Sequence, residues 1–200
     1  MKSVKLLRSV ALVALLSFAA PSAFAANGEG FVKEKQTELV SLVKKAKGPA
    51  DDKKVEAAFD EVLDYDTLAK ESLRDFWAER TPEERVEFQG ILTKLVRAAY
   101  RKSLKRIVGY EVEYKGATKQ DAGELVRTVA KKKGDAREEP LSIDYVVSDA
   151  SGKNKIVDIV TEGSSLVVNY RNQFRRIIKK QGFPELIKRM KTKLEKGDVN

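Results

Sequence analysis

The stretch Lys155-Ile156-Val157-Asp158-Ile159-Val160-Thr161-Glu162-Gly163-Ser164-Ser165-Leu166-Val167-Val168-Asn169-Tyr170-Arg171-Asn172-Gln173-Phe174 decides how the chain folds. It alternates with the two-residue period of a strand, breaks at Gly163, and resumes as an apolar segment that runs into a basic helix. The glycine fits a backbone bend that a side chain would hinder. The stretch brings no nucleophile with a base and no set of metal ligands. Its content is apolar surface arranged around a few charged residues, which suits a container better than a reaction centre.

Upstream of it the same period recurs. Residues 110–115, 125–132 and 141–148 read as three further strands, with 155–161 as the fourth. Turn signals at Gly116, at 121–123, at Gly134-Asp135 and at 151–154 make the connections hairpin-short, which implies an antiparallel sheet. On one strand Leu141, Ile143, Tyr145 and Val147 share a face, and Val157 and Ile159 do so on the next. Residues 166–170 fit either a short fifth strand or the first turn of a helix.

The remainder is helical. Residues 31–47 are amphipathic and end at Gly48-Pro49. A second helix runs to Leu63 from a cap at Asp51 or Asp52, and a third covers residues 66–78, with Asp64 and Asp66 placed as helix caps. Thr81-Pro82-Glu83-Glu84 is a capping box with proline at the first helical position. The helix it starts is long, to about Val108. Phe88, Leu92, Leu95 and Ala99 form one stripe, which Ile91, Val96, Tyr100, Leu104 and Ile107 widen, so the helix contacts more than one neighbour. Two more helices follow the sheet, the first carrying Phe174 and Ile177, the second starting at Pro184. The fold class is α+β, a curved antiparallel sheet of four to five strands covered by several helices.

Residues 1–25 read as an export signal. Lys2, Lys5 and Arg8 precede an apolar run too short to span a bilayer, and Ala23-Phe24-Ala25 offers a cleavage site. The mature chain, residues 26–200, is then one domain with a helical part (28–108), a strand-rich part (110–170) and C-terminal helices (170–196). The three signal cations lower the formal charge from +9 to +6. An exported chain rarely meets nucleic acid, so this excess faces anionic lipid, an acidic protein, or simply water. The destination that fits is the periplasm. With no cysteine, stability there comes from packing alone.

The composition also removes mechanisms. The chain has no histidine and no cysteine, which excludes histidine-based triads, thiol chemistry and the usual transition-metal ligands. No phosphate-binding glycine loop is present. Carboxylate pairs remain, Asp64 with Asp66 or Asp158 with Glu162, but helix capping and an ion pair of Asp158 with Arg171 explain them more simply. The reading is a protein that is not an enzyme and needs no cofactor.

Three segments resemble the MlaC-type periplasmic phospholipid carriers, the toluene-tolerance family. They are Leu63-Asp64-Tyr65-Asp66-Thr67-Leu68-Ala69, then Phe76-Trp77 with the Thr81 to Phe88 helix start, and the stretch from Asp158 to Phe174. The resemblance covers essentially the whole mature chain. One departure is Asn154, where the family pattern has tryptophan.

The resemblance implies a soluble carrier that holds acyl chains in an apolar pocket between sheet and helices. Such a carrier, a monomer, moves phospholipid between an outer-membrane lipoprotein complex and an inner-membrane ABC-transporter complex. Residues expected at the tails are Leu92, Leu95, Ala99 and Tyr100 on the long helix. Opposite them stand Ile143, Tyr145 and Val147 on one strand and Val157 and Ile159 on the next, with Leu166 and Val168 completing the wall. Glu162 and Arg171 form an ion pair or sit at the pocket mouth. A filled core and a cavity are lined by the same residue types, so an exported interaction or chaperone-like module without lipid stays open as the alternative.

Overall fold

The computed structural model describes residues 27–135 and 137–197, the side chains of residues 102 and 104–107 excepted. The export signal read over residues 1–25 lies outside the described residues, as do the side chains of Leu104 and Ile107. Five helices precede the sheet: α1 (Gly28–Lys45), α2 (Pro49–Val62), α3 (Tyr65–Leu73), α4 (Asp75–Ala78) and α5 (Pro82–Ile107). Local chemistry fixes their starts. Asn27 caps α1 by accepting from the Gly30 amide at 2.9 Å, and Asp64 caps α3 by accepting from Thr67 at 2.9 Å. The capping box ahead of α5 is reciprocal, Thr81 N donating to Glu84 at 3.0 Å and Glu84 N to Thr81 Oγ1 at 3.2 Å.

The single helix expected over residues 66–78 is broken instead at Arg74, whose φ of 46° lies in the left-handed region. The short α4 that results has its end carbonyls satisfied from outside. Arg85 donates to Trp77 O at 3.0 Å and to Ala78 O at 3.1 Å, while its guanidinium lies over the Trp77 ring. Arg85 thus closes the end of α4, while the break itself is a left-handed turn at a non-glycine residue, which helical periodicity does not mark.

The sheet follows as β1 (Tyr110–Gln120), β2 (Gly123–Lys132), β3 (Leu141–Ser148), β4 (Lys155–Thr161) and β5 (Ser164–Ser165), antiparallel and in sequence order. Gly116 is not the turn expected of it. It sits inside β1, at φ 95°, where the register shifts between Tyr114 and Ala117, so the glycine serves a bulge and the strand continues. The last hairpin turns through Glu162 and Gly163, both at positive φ, as a two-residue loop between right-twisted strands requires. The chain then enters α6 (Leu166–Gln181) and α7 (Phe183–Lys196).

One face of the sheet meets the helices. Pairing Val126↔Tyr145 and Tyr145↔Ile159 places these residues on that face, with Val147 and Ile156 beside them. The core is densest where α5, α6 and α7 converge: Phe88 is 0% exposed and packs edge-on to Phe174 and tilted against Phe183. Arg97 of α5 ties α2 and α3 to this frame by a two-pronged ion pair to Asp60 (2.7 and 2.6 Å), which also accepts from Tyr65.

Candidate functional site

Between the second half of α5, the start of α6 and the helix-facing side of the sheet lies a cavity of about 420 Å³. Val96, Ala99, Tyr100 and Ser103 line it from α5, and Leu166, Asn169 and Tyr170 from α6. The sheet contributes Tyr110, Ala130, Leu141, Ile143, Tyr145, Ile159 and Thr161, with Ser164 at the rim. Among the described residues no charged side chain lines it. Burial holds the Tyr100 phenol up to about 12 and pushes Tyr145 well above the usual phenol range, and it raises Tyr170 as well. All three are therefore neutral at any physiological pH, and the space is apolar with hydroxyl and amide groups at intervals.

Of the eleven residues expected at an apolar site, Ala99, Tyr100, Ile143, Tyr145, Ile159 and Leu166 lie together around this cavity. Leu92 and Val147, each 1% exposed, are solid core. Leu95 lines a second space described below, and Val168 points outward at 43% exposure. Val157 is displaced by a bulge: Val147 pairs with Ile156 and Val146 with Asp158, so Val157 is the extra residue. It is buried but outside the helix-packed cluster, and Ile156 takes the helix-facing position. Alternation could not show this, because both neighbours are apolar. Residues not anticipated include Leu141 and Thr161, which the register places beside Ile143, and Asn169 and Tyr170, one helical turn beyond Leu166.

Asp158 fixes the position of the α6 wall, and not through Arg171. Its carboxylate accepts from Ser165 Oγ (2.5 Å), from the Val167 amide (3.1 Å) and from the Ile159 amide (2.8 Å). Ser165 Oγ in turn accepts from Val168 N at 3.0 Å, the N-cap of α6. The carboxylate thus meets the positive end of a helix and is consumed in holding it. Glu162 does not pair with Arg171 either: it accepts from the Ser142 amide, locking the β4–β5 turn to β3. Arg171 reaches α3 instead, donating to Glu71 O at 2.8 Å and to the Glu71 carboxylate at 3.1 Å. Of the other carboxylates, Asp64 caps α3 and Asp66 accepts from Gln89.

A second, larger space of about 1070 Å³ opens between α6, α7 and α5. Ala99, Leu166, Asn169 and Tyr170 border both spaces, so the cavity and the groove share one wall. The floor of the groove is apolar (Leu95, Phe174, Ile177, Leu186 and Met190). Its rim is basic: Arg176, Lys188, Arg189, Lys193 and Lys196, against one carboxylate among the described residues, Glu185.

The sequence over residues 33–192 matches the model of the family described as MlaC protein. The chain belongs to the MlaC family. Among curated proteins none matches it. A solved structure similar to it is that of a phospholipid-binding protein from Ralstonia solanacearum in complex with a phospholipid. That likeness has a TM-score of 0.73 at 24% identity, covering 86% of this chain and 99% of the other. At that identity the likeness establishes the shared α+β fold. In this MlaC-family chain Asn154, at the foot of β4, lines neither the cavity nor the groove. Among the described residues no helix is long and apolar enough to cross a membrane.

Proposed function

We propose that this protein is a periplasmic phospholipid carrier, holding acyl chains in the cavity between α5 and the sheet and releasing them through the groove beside α7. The observation that carries this reading is a 420 Å³ cavity, neutral in its described lining, that shares a wall with a groove of apolar floor and charged rim. That volume lies within the ordinary range of ligand sites, about 300–1,000 Å³. Sheltering tails is worth roughly 0.8 kcal/mol per methylene, so two long chains amount to about 20 kcal/mol or more. Such a barrier makes unaided passage of lipid through water very slow, and a carrier removes it without a catalytic group. Family membership and the phospholipid bound by the Ralstonia protein support the same ligand class.

The carrier acts as a monomer between an outer-membrane lipoprotein complex and an inner-membrane ABC-transporter complex, which supplies the energy. Asp158 is occupied by three donors around the α6 start and Asp64 by the cap of α3, which argues against hydrolysis. Native mass spectrometry of protein purified without detergent tests the proposal. Phospholipid at near one per chain is expected. Protein that is empty, and stays empty after incubation with phospholipid vesicles, overturns it in favour of an interaction or chaperone-like module.

A further inference from the structure

We infer that the basic rim of the α6–α7 groove selects phospholipids whose headgroups carry net negative charge over zwitterionic ones. The inference deepens the carrier reading and rests on it. The cavity and the groove share the wall of Ala99, Leu166, Asn169 and Tyr170, so in this reading a lipid with its tails in the cavity has its headgroup beside the groove.

Two features set these cations apart from ordinary helix solvation. First, they converge from two helices: Arg176 comes from α6, while Lys188, Arg189, Lys193 and Lys196 come from α7. Second, three of them, Arg176, Lys188 and Lys196, lack local compensation among the described residues. Glu185 is the one carboxylate among the described lining residues, and Arg189 already holds it at 2.8 Å. Arg176, Lys188 and Lys196 form no ion pair among the described residues. Some cations away from the groove do find partners, as Lys191 with Glu87 at 2.6 Å, Lys131 with Glu113 at 2.5 Å and Lys132 with Glu138 at 2.5 Å. Uncompensated like charges around a concave, low-dielectric surface repel one another and focus a positive potential into it. An anionic headgroup relieves that repulsion. A zwitterionic headgroup presents its own ammonium to the same rim and gains less. Asn169, Asn172 and Gln173 at the throat offer neutral amide donors to phosphate oxygens.

The test is competitive loading of the mature protein from vesicles holding equal amounts of phosphatidylglycerol and phosphatidylethanolamine with matched acyl chains. Bound lipid is then quantified by mass spectrometry. At low salt, bound phosphatidylglycerol is expected to exceed phosphatidylethanolamine by about five- to tenfold, and the ratio to shrink as salt screens the rim. Arg176→Gln with Lys188→Gln should bring the ratio within twofold of unity without lowering total occupancy. Lys179→Gln with Lys180→Gln, on α6 but off the groove, should leave it unchanged. Full occupancy with equal ratios in the unaltered protein would overturn the inference and leave the carrier standing. A rim variant that loads more slowly from phosphatidylglycerol vesicles yet reaches the original ratio would overturn it too, by moving the rim's role to membrane docking. Failure to load either lipid would bring down the carrier reading itself.

Discussion

Along the first half of α5, Phe88 and Leu92 are buried against neighbouring helices, whereas along the second half Ala99, Tyr100 and Ser103 face open space. Strand β3 repeats the contrast on the opposite wall. Val147 at one end is 1% exposed, while Leu141 and Ile143 at the other line the cavity. The same elements therefore make a filled core at one end and a hollow at the other. What differs is the volume set opposite them. Phe88, Phe174 and Phe183 meet ring to ring at the filled end, and Ala99 and Ala130 leave the hollow end unfilled. Hollowness here comes from small residues on facing walls, not from a distinct composition.

The contrast breaks most readily under truncation. Leu92→Ala opens a void in close-packed surroundings and should cost about 3–5 kcal/mol. Ile143→Ala enlarges a space that already exists, and should cost about 1–2 kcal/mol because fewer contacts are lost. Urea unfolding of lipid-free protein measures both. Equal losses would mean that the hollow is closed in solution and that both ends are core.

The next largest effect falls on the wall that borders both spaces. Asp158→Ala removes the acceptor for three donors and leaves the start of α6 without its anchor, at a cost of about 2–3 kcal/mol. Asp158→Asn retains one acceptor oxygen and should cost roughly half as much. A hydrolytic role for Asp158 predicts the opposite pattern, lost turnover with stability intact. Bound lipid should fall in the same order, since Leu166, Asn169 and Tyr170 all ride on that helix. Hydrogen exchange at the amides of Val167 and Val168 reports the loosening directly.

These sites also show what the sequence made legible. The antiparallel run of strands and the starts of α3 and α5 were readable, because capping and two-residue alternation are local chemistry, whereas the start of α6 at Leu166 stayed open between strand and helix. The hollow was not, because filling depends on which side chains meet across space. The bulge beside Val157 was invisible between apolar neighbours, and the break at Arg74 is a left-handed turn at a non-glycine residue, which helical periodicity does not mark. Partner choice failed for the same reason. Asp158, Arg171 and Glu162 were near in sequence, and each found its partner elsewhere: the α6 start, Glu71 and the Ser142 amide.

Ala99→Trp sharpens the contrast without relying on stability. Ala99 borders both spaces, so an indole there fills the hollow with protein. The fold should hold to within about 1 kcal/mol, because added bulk enters existing volume. Bound phospholipid should fall at least about tenfold, read by mass spectrometry, since lost tail burial of two methylenes already exceeds that factor. Retained lipid at full occupancy would place the tails elsewhere.

The smallest effect is electrostatic and belongs to the hollow end alone, where the buried rings are phenols and not phenyls. Tyr100 is held up to about 12 and Tyr145 higher still, chiefly by burial. A free tyrosine ionises near pH 10. Between pH 10 and 12 the unfolded chain therefore releases protons that the folded chain keeps. Stability present below pH 10 is lost as pH rises through that window, at up to about 1.4 kcal/mol per pH unit for each fully protected phenol. Urea midpoints should stay level to pH 10 and then decline, and Tyr100→Phe should flatten the decline. Absorbance of ionised tyrosine should rise in step with unfolding. A full phenolate signal near pH 10 from an intact fold would show water reaching Tyr100 and Tyr145, and the cavity would then be wet and unsuited to tails.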